Sequence, residues 1–232
     1  MVEIRDIEIE RDDLHEMLGG GFPSASLAII EGRYGTGKSV LTQRLTYGFL
    51  ENDYAVSVIS SELTVKGFIE QMASLGYNIT SYLLDRNLLF IPIYGMISQA
   101  NQQKNYVEKL MTGKRIFESD VIILDTFSAL VSKDEDPENS LVELEGFFQR
   151  LLAQSKTIIL TIESGPTSSK LFQAFYSAAH VLFELGLNQQ GGKVSQEIDI
   201  KRFAKAGGSV SQTIAFRVEP GIGFVLEITS VG

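Results

Sequence analysis

Residues 32–39, Gly32-Arg33-Tyr34-Gly35-Thr36-Gly37-Lys38-Ser39, set glycine, lysine and hydroxyl groups at the spacing G-x-x-x-x-G-K-[ST]. Each fixed residue type has a physical reason. Gly35 and Gly37 permit backbone angles and close approaches that a side chain would block. Successive N–H groups, followed by a helix N-terminus, can wrap phosphates and favour their negative charge. Lys38 extends to the β- and γ-phosphates, and the Ser39 hydroxyl is a magnesium ligand. The segment follows an apolar run and opens an amphipathic one, the strand–loop–helix context this chemistry needs. These residues, with Val40 next in the helix, read as a site for ATP with Mg2+.

A second segment completes such a site. Val121-Ile122-Ile123-Leu124-Asp125-Thr126 is an apolar strand ending in a carboxylate. At the C-terminal edge of a sheet, beside a phosphate loop, Asp125 can hold magnesium through its hydration shell. The alternative is a plain turn or helix cap; the phosphate loop favours the magnesium role.

Elements that could position these groups follow from periodicity. Short apolar runs alternate with longer amphipathic segments, the pattern of a parallel sheet covered by helices. Buried strands are predicted at residues 26–30, 55–59, 88–91, 121–124 and 157–160, whose Val/Ile/Leu content fits strands covered on both faces. Helices are predicted at 38–51, 64–75, 106–117, 139–154 and 168–178. Beyond residues 181–184, about Lys193 to Thr229 alternates like antiparallel strands with Gly-rich turns. No repeat or linker interrupts the chain, so residues 1–232 read as a single domain.

Composition narrows the function classes. The 232 residues are 44% hydrophobic and 21% charged, ordinary for a globular protein. No run of roughly 18 apolar residues appears, so no direct membrane insertion is expected, and the N-terminal residues lack a signal pattern. The expectation is a cytoplasmic protein. With no cysteine and two histidines, thiolate metal sites are excluded. A net charge of −9 without a basic run disfavours nucleic-acid binding.

Further segments carry a family resemblance. Leu18-Gly19-Gly20-Gly21-Phe22-Pro23 precedes the first core strand, and Ser60-Ser61-Glu62 follows the second. Residues 68–77 and the triplet Thr161-Ile162-Glu163 at a later strand end add to the pattern. Together with the phosphate loop they resemble the RecA/KaiC family of P-loop proteins over essentially the full length. The resemblance implies a RecA-like core with a mostly parallel sheet flanked by helices and a C-terminal antiparallel β region, and it adds Thr161 to the nucleotide site. The likeness is strongest to KaiC-like ATP-binding components of the archaeal flagellum (archaellum) motor. It therefore implies an ATP-dependent former of rings, a hexamer among the candidates, peripheral to a membrane-embedded motor. Implied partners are the motor's secretion-type ATPase and a cytoplasmic scaffold.

Two departures bear on hydrolysis. The family carries adjacent glutamates after the second strand; here the first is Glu62 and the second position holds Leu63. Glu62 is thus a candidate catalytic residue, with a cap on the helix beginning near Thr64 as the alternative. The family also sends a Lys-x-Arg pair into a neighbouring subunit's ATP; here Lys201 matches and Phe203 stands where the arginine belongs. Both departures point to a nucleotide-gated switch with slow hydrolysis. A KaiC-like ATPase or autokinase is the second reading, and a recombinase paralogue acting on DNA the third. His15 and His180 lack metal-like spacing, the acidic stretch Lys133–Glu138 reads as a solvated loop, and Phe147, Phe148, Phe172, Phe175 and Tyr176 read as core or subunit contact.

Overall fold

Strands whose successive side chains are all apolar must be covered on both faces, and this chain meets that demand with one wide sheet. The computed structural model describes residues 3–93, 106–190 and 193–227. A small pair, β1 (Ile4–Arg5) and β2 (Phe22–Pro23), precedes the main sheet of β3 (Leu27–Gly32), β4 (Val56–Ser60), β5 (Leu88–Pro92), β6 (Val121–Asp125), β7 (Thr157–Glu163), β8 (Val181–Gln190), β9 (Lys193–Phe203), β10 (Thr213–Glu219) and β11 (Gly223–Leu226). The main sheet has nine strands in the order β11-β10-β9-β8-β3-β7-β6-β4-β5. Pairing is parallel from β8 through β5 and antiparallel from β8 to β11. The predicted core strands, the antiparallel C-terminal region and the mixed α/β architecture are all present; Thr229, its expected limit, lies outside the described residues.

Alternation along the strands divides two apolar layers. Ala28, Ile30, Val56, Val58 and Ile123 face α2 (Lys38–Glu51) and α3 (Val65–Ser74), where Leu41, Leu45, Phe49, Phe68 and Met72 are buried. Leu27, Ile29, Ile122, Leu124 and Leu160 face the other layer. That layer contains α5 (Tyr106–Thr112), α6 (Phe127–Val131), α7 (Pro137–Leu152), α8 (Pro166–Leu171) and α9 (Gln173–Ala178). Short helices α1 (Leu14–Met17) and α4 (Thr80–Leu84) complete the described set. Phe148, Phe172 and Phe175 are core residues here, each about 1% exposed.

Several local expectations are corrected. The helix predicted at 168–178 is two helices broken at Phe172, whose side chain is buried against Phe127. The one at 106–117 stops at Thr112; Gly113 is followed by a 3-10 turn, Lys114–Phe117. Phe22-Pro23, read as a turn into the sheet, pairs as β2 with β1. The acidic stretch is more than solvated loop. The Asp134 carboxylate accepts from the Val107 amide and the Ser140 hydroxyl, and Asp136 caps α7 by accepting from the Asn139 amide.

The order of the strands fixes where a site can form. From β3 the chain crosses to β4 on one side, whereas β7 and β8 flank β3 directly. A parallel sheet opens a crevice at the carboxyl ends of its strands where such a reversal occurs. Gly32, Ser60, Asp125 and Glu163 all end strands on that edge.

Candidate nucleotide site

The turn from β3 into α2 shows why its glycines are needed. Gly35 and Gly37 have φ of 81° and 95°, the left-handed region that side chains avoid. A Cβ on Gly37 would also lie 2.9 Å from the Phe216 ring of β10. Thr36 is buried and its hydroxyl donates to the Arg33 carbonyl at 2.8 Å, closing the loop. Gly37 sits at the N-cap of α2 with no side-chain cap, so amides of the first helical turn remain to be satisfied. This is a cradle suited to an anion.

Lys38 extends back over the loop. Its Nζ donates to the Gly32 carbonyl at 2.7 Å, the Arg33 carbonyl at 3.0 Å and Glu163 Oε2 at 2.7 Å. Register explains the last contact: β3 and β7 run parallel with Gly32 opposite Glu163. On the next strands Ser60 lies opposite Asp125. The Asp125 carboxylate accepts from the Thr161 hydroxyl at 2.8 Å. Burial pushes Asp125 above the ordinary carboxylate range and the nearby Glu62 adds to this, while hydrogen bonds from Thr161 and Ser39 and the Lys38 charge pull it down. A desolvated carboxyl beside a serine hydroxyl is a donor set that suits a hard divalent cation.

Glu62 belongs to this group. Its Oε1 accepts from the Thr126 hydroxyl at 2.9 Å. Its alternative role as a helix cap is overturned, because Thr64 caps α3 by accepting from the Gly67 amide at 3.1 Å. A cleft of ≈ 320 Å3 is lined by Lys38, Ser39, Glu62, Thr126 and Glu163, together with Tyr34, Gly35 and Gly37 of the loop. Val40, Gln71, Gln196 and Val218 line the remainder. A larger groove, ≈ 540 Å3, lies between α7 and α8–α9. Its charged residues are Glu138, Glu145 and Lys170, a poor match for phosphate, so the chemistry locates the site in the smaller cleft.

The structure thus brings together residues 32–40, Glu62, Asp125 and Thr161. Lys201 is elsewhere: it is exposed on β9, 3.1 Å from Asp199 and 3.3 Å from Glu184 of its own chain. The β8–β9 register jumps there, with Ile200 opposite Phe183 and Arg202 opposite Leu182. Phe203 turns inward and stacks on Phe183 at 6.1 Å. Arg202 donates instead to the carbonyls of Tyr176, Ser177 and Ala179 at the end of α9.

Sequence reasoning assigned no role to Thr126, Glu163, Gln71, Gln196 or Val218. Thr126 adjoins Asp125 and Glu163 closes the triplet noted above, so both were adjacent to a signal. Gln196 and Val218 reach the loop only through antiparallel pairing, in which Gln196 lies opposite Phe216.

A strand–loop–helix cradle, a lysine at its centre and a buried carboxyl on a neighbouring strand end define a RecA-type P-loop nucleotide-binding protein. A family model described as ATPase: KaiC matches residues 8–217, and the chain belongs to that family. It is 41% identical over 231 residues to the archaeal flagellar ATP-binding protein FlaH of Methanocaldococcus jannaschii, covering 100% of this chain and 99% of that one. It is 39% identical to the protein of the same name from Methanococcus voltae, covering 97% of each. The crystal structure of flagellar accessory protein FlaH from M. jannaschii superposes with a TM-score of 0.92, covering 98% of this chain and 100% of that one. A KaiC-like protein from Pyrococcus horikoshii, at 17% identity and TM-score 0.77, covers 97% of this chain and 100% of its own and shares the fold. Among the described residues, no helix is long and apolar enough to cross a membrane.

Proposed function

We propose that the chain is an ATP-binding regulatory and assembly component of an archaeal flagellum (archaellum) motor, built as one KaiC-like domain. In this reading Mg-ATP at the cleft gates assembly into a ring and binding to the motor's secretion-type ATPase, with little or no hydrolysis. The observation that carries it is full-length likeness to archaeal flagellar ATP-binding proteins combined with a complete phosphate cradle around Lys38.

The residues present fit the nucleotide and its metal. The first-turn amides of α2 and the Lys38 ammonium suit the phosphates. The Ser39 hydroxyl would hold magnesium directly and Asp125 would hold it through water, with Thr161 fixing the Asp125 carboxylate. Magnesium supplies neutralisation of the phosphate charge. Glu62 stands beside this region to orient a water, yet it acts alone because its neighbour is Leu63. Lys201 projects from the molecule and in an assembled ring would approach the neighbouring subunit's nucleotide. No arginine accompanies it, since Phe203 is committed to the core. One carboxylate and one lysine support binding with slow turnover.

A ligand changes assembly only through its different affinity for the two states. ATP at a subunit boundary supplies such a difference. The deciding measurement is phosphate release by the purified protein across a wide range of protein concentrations. Negligible release with ATP held tightly supports the switch. Release that climbs steeply with concentration supports the second reading, a KaiC-like ATPase completed between subunits, for which the position of Glu62 in the cleft is the favouring observation.

A further inference from the structure

Beyond the phosphates, the cleft must select a base, and no local motif names the residue that does so. We propose that Gln71 is the specificity-determining residue for adenine, an inference that rests on the nucleotide reading of the cleft. The phosphate side of the cleft is crowded with charge: Lys38, Glu62 and Glu163, with Asp125 just behind. The other walls are Val40 on α2, Val218 on β10, Gln196 on β9 and Gln71 on α3; of the two amides, Gln71 is the one with a buried oxygen lacking a partner among the described residues. Two hydrogen bonds tie the end of α3 and the residues just past it to the strands of that wall. The Gly221 amide donates to the Ser74 carbonyl at 2.7 Å, and the Phe224 amide donates to the Tyr77 hydroxyl at 3.2 Å. Val218 pairs with Phe224, so Gln71 and Val218 border one space.

The amide of Gln71 is in an unusual position. Its Oε1 is sealed from solvent and meets no hydrogen-bond donor among the described residues. A buried acceptor left without a donor is destabilising, and native proteins pair nearly all such atoms. With no partner to hold its resting rotamer, the amide can turn toward the cleft that its side chain already lines, where a ligand donor removes the defect. Adenine presents its N6 amino donor beside an acceptor, N7 on one edge and N1 on the other. A glutamine amide matches that pair with two hydrogen bonds, its Oε1 accepting and its Nε2 donating. Discrimination against guanine rests on the N7 edge, where guanine offers two acceptors, O6 and N7, and leaves Oε1 unpaired. Val40 and Val218 supply apolar walls for the purine faces.

The test uses the full chain and titration calorimetry with Mg2+ and three probes: ATP, GTP and purine riboside triphosphate, which lacks the N6 amine. Wild type should bind ATP about tenfold tighter than the purine analogue, and GTP weaker than ATP. Gln71→Leu should bind ATP and the purine analogue alike, at the weaker level. The unliganded variant should melt no lower than wild type, because an unpaired polar atom has been replaced by an apolar one. A wild-type protein with no preference for ATP over the analogue overturns the inference. So does a Gln71→Leu protein that keeps the preference, in which case Lys38-dependent ATP binding would still leave the nucleotide reading standing. A wild-type chain that binds none of the three probes overturns both.

Discussion

Helix α2 carries two basic side chains six residues apart, about 9 Å along its axis, and each meets a carboxylate at 2.7 Å. Their surroundings differ completely. The Arg44 and Asp12 side chains are 0% and 1% exposed, with Nε and Nη2 of the guanidinium on the two Asp12 oxygens and Nη1 on the Ile7 carbonyl. Lys38 is 8% exposed, but its partner Glu163 is 44% exposed and borders the cleft. A planar fork locked onto one carboxylate and one carbonyl is a structural clamp. An ammonium shared among two carbonyls and a half-exposed carboxylate is held more loosely, and under the proposed function its partner would be exchanged for phosphate. The same type of ion pair therefore fastens one part of the helix and leaves the other beside an open cleft.

The comparison can be broken by experiment, and the largest effect belongs to the clamp. Asp12→Ala leaves Arg44 charged and buried, and should lower unfolding free energy by about 3–5 kcal/mol in a urea titration. A change within about 1 kcal/mol would mean that water reaches Arg44. Lys38→Ala should do the reverse: a melting temperature close to wild type without nucleotide, and ATP affinity weaker by roughly a hundredfold or more. If binding survives, the loop amides alone hold the phosphates. Glu163→Gln removes a negative charge beside the phosphates and should tighten ATP binding by roughly fivefold, more at low salt. Weakened binding would instead show that Glu163 is needed to aim Lys38.

A control outside both pairs gives the smallest change. The His180 Nδ1 accepts the Leu27 amide at the opposite edge of the sheet. Burial first, then Lys205 and Arg202, hold its pKa below the usual 6.5. The unfolded chain therefore takes up a proton before the folded one as pH falls. Stability should drop as pH passes down through about 6.5 and level off below the folded-state value. His180→Asn should remove that slope without altering ATP affinity, as followed by thermal melts between neutral and mildly acidic pH.

What could be read beforehand depended on how local the physics was. The loop at 32–39 is contiguous, and its glycines, Thr36 and Lys38 answer requirements within a few ångströms, so its strand–turn–helix geometry was legible in the sequence. Asp125 was legible because an apolar run must end somewhere and ends there in a carboxylate. Glu163 was not, because its role comes from a strand register that sets it opposite Gly32, a fact no window of sequence contains. Sequence alone could not separate a cap from a cleft residue at Glu62; the structure gives the cap to Thr64 and sets Glu62 against Thr126 in the cleft. The break at Phe172 was hidden because a buried aromatic satisfies helical periodicity as well as a core demand. Phe203 was read as a missing arginine; its stacking on Phe183 shows that the position also serves the core.

The tie between α3 and the β10–β11 turn has a mechanical consequence. Ser74 and Tyr77, just past Gln71, are bonded to Gly221 and Phe224, and Val218 pairs with Phe224. One jaw of the cleft is therefore tied to the β10–β11 hairpin, and a load applied to that corner would pass to the rim of the sheet. A nucleotide seated there would press on the outermost antiparallel strands, the part of the molecule farthest in strand order from β5.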